Sequence, residues 1–403
     1  MGVRYGMDKN FNSTGDWRYT ANIYANQELY ENNASTMIGE DPSTRHSLNY
    51  YYNGQIGDWN IDFNADGLWN VKEESQHTRE ITNGETENDV NTFNKNNGTL
   101  YATKLIVSYP LWKGNLSFGG EYSHTSRTNL YHNQEGILDN DDSKIKEGST
   151  AAFMDYSHSF GKVDVQAGVR YENVKFDYYE QGKHIDEQSR TFNNVFPSVN
   201  INFPIGKTQI QLSYSGGITR PSYDMLRGNI YYGNRYTYQT GNPFLKPIIN
   251  QDLIFSASYK WVNFSFTYNR TKDDIIQVCE PYSEADPTIS LLKTVNTEPY
   301  NNIISAITLS PTIGWWSPQL TAQVFKQWFH VEGPEGKLTL SKPRTIIVWR
   351  NSFTLPAGFL FDIDGTYYTK GHSQNMYMGI NSLDVSMGLY KSCLLYTSPS
   401  PRD

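Results

Sequence analysis

The sequence predicts an all-β fold: a large antiparallel transmembrane β-barrel with about seventeen strands present, short periplasmic turns and long extracellular loops. Three observations lead there. The first is strict alternation. Val163-Asp164-Val165-Gln166-Ala167-Gly168-Val169-Arg170-Tyr171-Glu172 has an apolar or aromatic residue at every odd position and a polar residue or Gly at every even one. Successive strand side chains point to opposite faces, so one face is apolar and the other carries Asp164, Gln166, Arg170 and Glu172. The second is a regular exchange of short turns with long polar connections. The third is the lack of any run of about 18 to 20 apolar residues, which excludes a membrane helix and leaves barrel strands open.

The elements follow in order. Residues 17–23 form an early strand. Segment 48–52 leads through a Gly-containing turn into 59–65. Segment 101–109 turns at 110–114 and returns as 115–122. Segment 151–160 turns at Gly161-Lys162 into the alternating strand from Val163. Segment 195–203 turns at Gly206-Lys207 into 208–214, and 253–259 turns at Lys260-Trp261 into 263–268. Later turns fall at 311–314 and 355–358, and the last strand ends near Leu389-Tyr390. Between these hairpins, loops are expected at 26–44, 71–98, 127–148, 179–193, 220–249, 273–301, 331–342 and 371–378. Asn, Asp, Glu, Thr and Gly dominate most of them, as in solvated turns. Loops beyond about 12–15 residues are uncommon in compact soluble domains, whereas outer-membrane barrels carry long loops outside and short turns on the periplasmic side. The Gly161-Lys162 and Gly206-Lys207 turns are thus periplasmic and 220–249 is external.

Bulk properties narrow the function. The 403 residues carry a net charge of −8, and no basic block suggests nucleic acid as a partner. Two cysteines, Cys279 and Cys393, do not make a disulfide framework. The start, Met1-Gly2-Val3-Arg4-Tyr5-Gly6, runs straight into strand-like sequence with no signal peptide, so the native N-terminus is expected to lie upstream. Thirty tyrosines suit a fold with long boundaries between apolar and wet surroundings.

Catalytic motifs are missing. The sequence has no phosphate-binding Gly-rich loop, no nucleophile elbow and no metalloprotease motif, and its eight histidines lack ligand spacing. No enzymatic activity, cofactor or metal site is expected. Asp362 and Asp364, two apart on one strand, are read with Asp164, Gln166, Arg170 and Glu172 as lumen-facing residues. A wet interior asks for polarity there, while Arg or Lys on the lipid face costs about 2–4 kcal/mol at the midplane. Aromatic doublets such as Tyr178-Tyr179 and Tyr231-Tyr232 read as interfacial girdle. The rival reading for Tyr231 and Tyr232, with Arg235, Tyr236 and Tyr238, is a ligand-facing loop.

The segment Gly217-Ile218-Thr219-Arg220-Pro221-Ser222-Tyr223-Asp224-Met225-Leu226, followed by Gly241-Asn242-Pro243-Phe244-Leu245-Lys246-Pro247, resembles the barrel of TonB-dependent outer-membrane receptors. Within that group it is most similar to the outer-membrane β-barrel protein family. Gly168–Glu172 and Phe196-Pro197-Ser198-Val199 add to the likeness, which is specific over 168–247. Physically, Arg220-Pro221 ends a strand and Asn242-Pro243 opens a rigid turn. Arg220, Pro221, Tyr223, Leu226, Gly241, Asn242, Pro243, Leu245, Lys246 and Pro247 are therefore expected to shape a loop rim.

The resemblance implies a barrel of 22 strands in a Gram-negative outer membrane, filled by a plug and energised by TonB, that imports a ligand such as a siderophore, glycan or peptide. It implies outer-membrane lipid, the extracellular ligand and TonB as partners, with TonB engaged through an N-terminal region that this chain does not show. Residues 1–391 are accordingly expected to be an incomplete barrel domain and 392–403 a non-native tail. Two alternatives are an outer-membrane binding or structural barrel without energised transport (an adhesin or scaffold) and a secreted glycan-binding β-protein.

Overall fold

The computed structural model describes residues 1–11, 14–285, 287–333 and 336–391; the tail 392–403, with Cys393, lies outside the described residues. A 20-stranded sheet dominates, and its neighbours pair antiparallel. Some of these strands are collinear pieces of one longer wall strand: Gly2–Asn10 pairs with Ser43–Ile56, and Thr14–Ala25 pairs with Glu28–Glu40. From there each strand pairs with the next wall strand in sequence, up to Ser382–Lys391. Among the described residues, no helix is long and apolar enough to cross a membrane.

Register explains why the alternation matters. Val163–Glu180 lies between Asp141–Phe160 and Arg190–Ile205. Phe118, Met154, Val169 and Pro197 fall in one cross-strand row. Val199, Tyr214, Leu253, Tyr268 and Ile303 form another on the same face. Val169 is 42% exposed and Leu253 50%, so this face is an uncovered apolar belt, as lipid contact requires. The opposite face is polar. Gln166 donates to Asp155 at 3.0 Å, Ser159 donates to Asp164 at 2.5 Å, and Gln211 donates to Asn200 at 3.3 Å.

The periplasmic turns are as short as their glycines allow. Gly57, Gly161 and Gly206 take φ of 58°, 65° and 61°, a left-handed conformation that glycine adopts without steric cost.

The other end departs from the sequence-based expectation. Much of 26–44, 71–98 and 127–148 is strand, not loop. Trp59–Thr82 and Glu85–Leu111 run for 24 and 27 residues and meet at a two-residue turn, Asn83-Gly84. About 9 to 11 residues cross the bilayer, so these strands project far beyond it. Outside lipid no face has to be apolar: Thr78, Glu80, Asn94 and Asn96 are buried on the inner face and yet polar, so the apolar alternation lapses and the strand has the composition of a loop. The expected loops at 179–193, 331–342 and 371–378 likewise contain short paired strands, Lys183–His184, Gly336–Leu340, Gly371–Ser373 and Met376–Met378. Among the described residues, 220–247 and 273–299 make the longest departures from the wall, and they too carry strands. Ile230–Asn234, Thr237–Thr240, Ile275–Pro281 and Ser290–Asn296 make a separate 4-stranded sheet. Its middle pairing, Thr237–Thr240 with 290–293, is parallel and joins the two loops.

Placing Arg at Val169, within the apolar belt, is expected to destabilise the barrel by about 2–4 kcal/mol, whereas Gln166→Arg on the polar face changes it by under about 1 kcal/mol. Denaturant unfolding of the chain in lipid vesicles reads the difference; equal effects would refute the assignment of faces.

Candidate functional site

The two loops fold back over the polar face and cap the extracellular mouth. Their root is electrostatic. Glu172 is 2% exposed, and its carboxylate accepts from the Arg220 guanidinium and, at 2.8 Å, from Arg170 Nη2. Arg170 also meets Glu121 at 3.3 Å, and Arg220 meets Glu147 at 3.8 Å. Wall and loop thus share an alternating ladder of charge. Arg220 is the first residue after the strand Thr208–Thr219, so the ladder turns the loop inward as soon as it leaves the wall.

The rest of the motif docks the loop. Leu226, at the end of the short 3₁₀ turn Tyr223–Leu226, and Leu245 bury against Ile145, Phe176 and Tyr178 of the wall. Fully burying each leucine stabilises by about 1.5–3 kcal/mol. Gly241 has no room for a side chain, since a Cβ would sit 2.5 Å from the Arg227 carbonyl oxygen and 2.6 Å from that of Met225. The Asn242 amide group donates to the Thr294 carbonyl at 3.0 Å, while its side-chain oxygen accepts from the Phe244 N–H at 2.9 Å. Arg190 donates to the carbonyls of Pro243 and, at 2.5 Å, Phe244. The Lys246 N–H donates to Asn296 Oδ1 at 2.8 Å, and Asn296 donates back to the Lys246 carbonyl at 3.0 Å. Pro221 and Pro247 line a small apolar pocket beside Arg190. These residues do more than shape a rim: they hold the loop inside the mouth and tie it to the second loop.

The far edge of the cap reaches other wall strands through tyrosine and arginine. The Tyr232 hydroxyl donates to Glu80 at 2.6 Å, and the Arg235 N–H donates to the other oxygen of the same carboxylate at 3.0 Å. Arg235 also donates to Thr82 Oγ1 at 2.7 Å, and the Tyr236 hydroxyl donates to Glu31. Tyr238 is buried with Val90, Leu138 and Tyr232. Four of the five residues considered for ligand contact therefore spend their polar or apolar ends on the wall. Tyr178, expected in an interfacial girdle, is instead 1% exposed beneath the loop.

A cavity of about 630 Å³ lies between cap and wall. Asn94 and Tyr131 come from the wall, while Asp224, Arg227, Tyr231 and Tyr232 come from the first loop and Thr294 from the second. Asp224 accepts from Arg127 at 2.6 Å, and Arg227 donates to Asn129 at 2.9 Å. The Arg227 guanidinium stacks over the Tyr231 ring at 4.4 Å, and burial pushes the Tyr231 hydroxyl up to about 12.

Of the residues predicted to face the lumen, Arg170 and Glu172 lie under the cap. Asp164 and Gln166 share their face nearer the periplasmic turn. Asp362 and Asp364 sit elsewhere on the wall, opposite Ser352 and Arg350 in register. The sequence reading missed Glu31, Glu80, Glu147, Arg190 and Asn296. Each sits in polar sequence, where nothing local marks a residue as a tether.

A family model described as the outer membrane protein beta-barrel family matches residues 55–395. Among solved structures, the copper transporter OprC aligns with 95% of this chain and 72% of its own, at 8% identity and a TM-score of 0.54. The FrpB iron transporter from Neisseria meningitidis (F5-1 variant) covers 95% and 74%, at 12% identity and a TM-score of 0.49. The alcaligin outer membrane receptor FauA from Bordetella pertussis covers 96% and 70%, at 10% identity and a TM-score of 0.46. At 8% identity the likeness to OprC is one of fold. A search of curated proteins gives no match.

Arg220→Met leaves Glu172 with one partner. It is expected to weaken loop docking by about 2 kcal/mol, below the full cost of breaking a buried pair because Arg220 is partly exposed. Hydrogen exchange should quicken across 222–247 and stay unchanged at 163–170; equal protection in both proteins would refute the root. Gly241→Ala forces carbonyls apart and is expected to loosen both loops together, seen as proteolytic cleavage within 220–247 and 273–299. Cleavage of the first loop alone would show that they are not coupled.

Proposed function

The chain belongs to the outer membrane protein beta-barrel family, and from that premise we propose that it is the barrel of a TonB-dependent receptor. It lies in the outer membrane and captures a ligand at the cell surface for import. The observation that carries this reading is the inward fold of two external loops, which roof a cavity of mixed polar and apolar lining at the mouth of the wall. An adhesin or scaffold gains nothing from burying its loops, because its partners approach from outside. A receptor needs a compartment that faces inward and can be closed. The Arg220-Pro221 and Gly241–Pro247 segments support the same reading through their likeness to TonB-dependent receptors. On this reading TonB engages through an N-terminal region beyond the barrel.

Energised import separates the receptor from a passive binder. Cells with and without the intact gene are compared for depletion of siderophores, oligosaccharides and peptides from the medium, with and without a protonophore. The expected result is gene-dependent depletion of one class that the protonophore abolishes. Gene-dependent binding that the protonophore leaves untouched would establish a non-energised barrel instead.

A further inference from the structure

We propose that Trp17 is a stacking platform, and that the space between it and the cap takes a planar aromatic ligand without negative charge. The inference rests on the receptor reading and names its ligand class. Two adjoining voids make up this space, of about 630 and 830 Å³, and they share Met37, Glu74 and Gln76 in their lining. Each falls within the range of small-molecule sites, about 300–1,000 Å³.

The platform itself is the first argument. Register sets Trp17 opposite Met37, and Met37 opposite Thr78, on the face of the wall that carries the cap. Gly15 and Gly39 are themselves partners in adjacent strands. A Cβ at Gly15 would fall 2.0 Å from Cη2 of Trp17, and one at Gly39 would fall 3.3 Å from its Cζ3. The benzene ring of the indole therefore rests across bare backbone, in a place that a side chain at either position would take. Trp17 is nevertheless 54% exposed, and it lines the larger void. Two residues along the same face, the Tyr19 hydroxyl donates to the Gly233 carbonyl at 3.3 Å, so the platform lies at the margin of the cap. An indole seated on one face and bare on the other offers apolar area and a π surface to a guest.

The rest of the lining suits a flat, apolar guest. Accessible apolar side chains line the space from both sides: Met37 on the wall, and Met225, 38% exposed, with Ile275 on the cap. Thioethers are unbranched and polarizable, and they make favourable contacts with aromatic rings. Charge sets the sign. Five acids and two bases line the two voids. Glu74 and Asp224 expose 44% and 56% of their side chains. Lys72 and Arg127 pair with these two acids but line neither void. Of the two bases, Arg18 is paired with Asp16 at 3.0 Å, while Arg227 exposes 13% of its side chain and is held by Asn129. An anion gains little here, whereas a cationic ring gains a cation–π contact with Trp17.

The test uses the full chain in lipid nanodiscs, with empty nanodiscs as the blank. Calorimetric titration is run with riboflavin, proflavine and 1,5-naphthalenedisulfonate, which are neutral, cationic and anionic planar rings, and with maltotriose. Riboflavin or proflavine is expected to bind, and the other two at least about tenfold more weakly. Trp17→Ala should weaken ring binding about tenfold and Trp17→Phe about threefold, as the stacking area shrinks. Protease cleavage of the cap should stay unchanged in both variants; faster cleavage would assign Trp17 to docking and overturn the proposal. Failure of both riboflavin and proflavine to bind, or binding that Trp17→Ala leaves intact, overturns it too. Disulfonate binding as tight as theirs, weakened by Trp17→Ala, overturns the charge restriction and keeps the platform. Maltotriose binding that the variant weakens overturns the ligand class. Protonophore-sensitive uptake that persists in cells with Trp17→Ala refutes this site and spares the receptor reading. Ring binding that depends on Trp17, without energised uptake, does the reverse.

Discussion

The arrangement of the mouth depends on one buried carboxylate. Glu172 projects from the polar face of the wall into a place where water scarcely reaches it. An ionised group so placed is tolerable only with matched, hydrogen-bonded charge. The wall provides one guanidinium, Arg170, two residues along the same strand. The loop provides the second, Arg220. Because Arg220 is the first residue beyond its strand, satisfying Glu172 sets the direction in which the chain leaves the wall. An outward course would strand the carboxylate with half its neutralising charge. Everything downstream inherits that direction: the short 3₁₀ turn, the docking of Leu226 and Leu245, and the approach of Gly241 to the Arg227 and Met225 carbonyls.

The wall can host such a cap because its two faces answer to different solvents. Lipid forces the outer face to be apolar, as in the row of Phe118, Met154 and Val169. No such demand acts on the inner face, which is free to hold carboxylates and amides. The cap uses this freedom. Its apolar contacts are a few small clusters, and most of its attachments are directional: Tyr232 on Glu80, Arg235 on Thr82, Arg190 on the Pro243 and Phe244 carbonyls. Net stabilisation per hydrogen bond is modest, about 1 kcal/mol, but an unmade one in a buried place costs as much or more. Such a set specifies one docked position more than it adds stability.

The wall was legible in the sequence because a strand between lipid and water writes its geometry into every second residue. The alternation from Val163 to Tyr171 reappears as the register with 141–160 and 190–205, and the short turns at Gly161 and Gly206 fall where their glycines stand. Legibility ended where lipid ended. Residues 71–98 looked like loop because a projecting strand meets no lipid, and the face the cap covers is filled mainly by polar residues such as Thr78, Glu80, Asn94 and Asn96, so only the hydrogen-bond ladder distinguishes it, and composition does not record ladders. One local mark was present: Asn83-Gly84 is a strong signal for a tight hairpin, and it takes φ of 50° and 89°. The site was half legible. The segments 220–226 and 241–247 stood out as a pair, but their partners Glu172, Arg190 and Asn296 lie 48, 53 and 50 residues away in the contacts they make. Pairings at that distance follow from how strands curve around a lumen, and one sequence does not encode this locally.

The coupling of the two loops bears on how such a mouth could serve any guest. Loop 220–247 is anchored at its root by charge and at its far edge by tyrosine. Loop 273–299 is bound to it by the parallel pairing of Thr237–Thr240 with 290–293, by Asn242 and by Asn296. Neither loop can leave the wall without breaking these bonds or taking the other along. The cavity is bounded by both loops and by the wall, with Asn94 fixed in the sheet and Thr294 carried on the cap. Displacing the cap would therefore separate the two sides of the lining and leave no half-site intact. The cavity exists in this docked arrangement of both loops, and the bonds that hold them together, more than any single lining residue, set its shape.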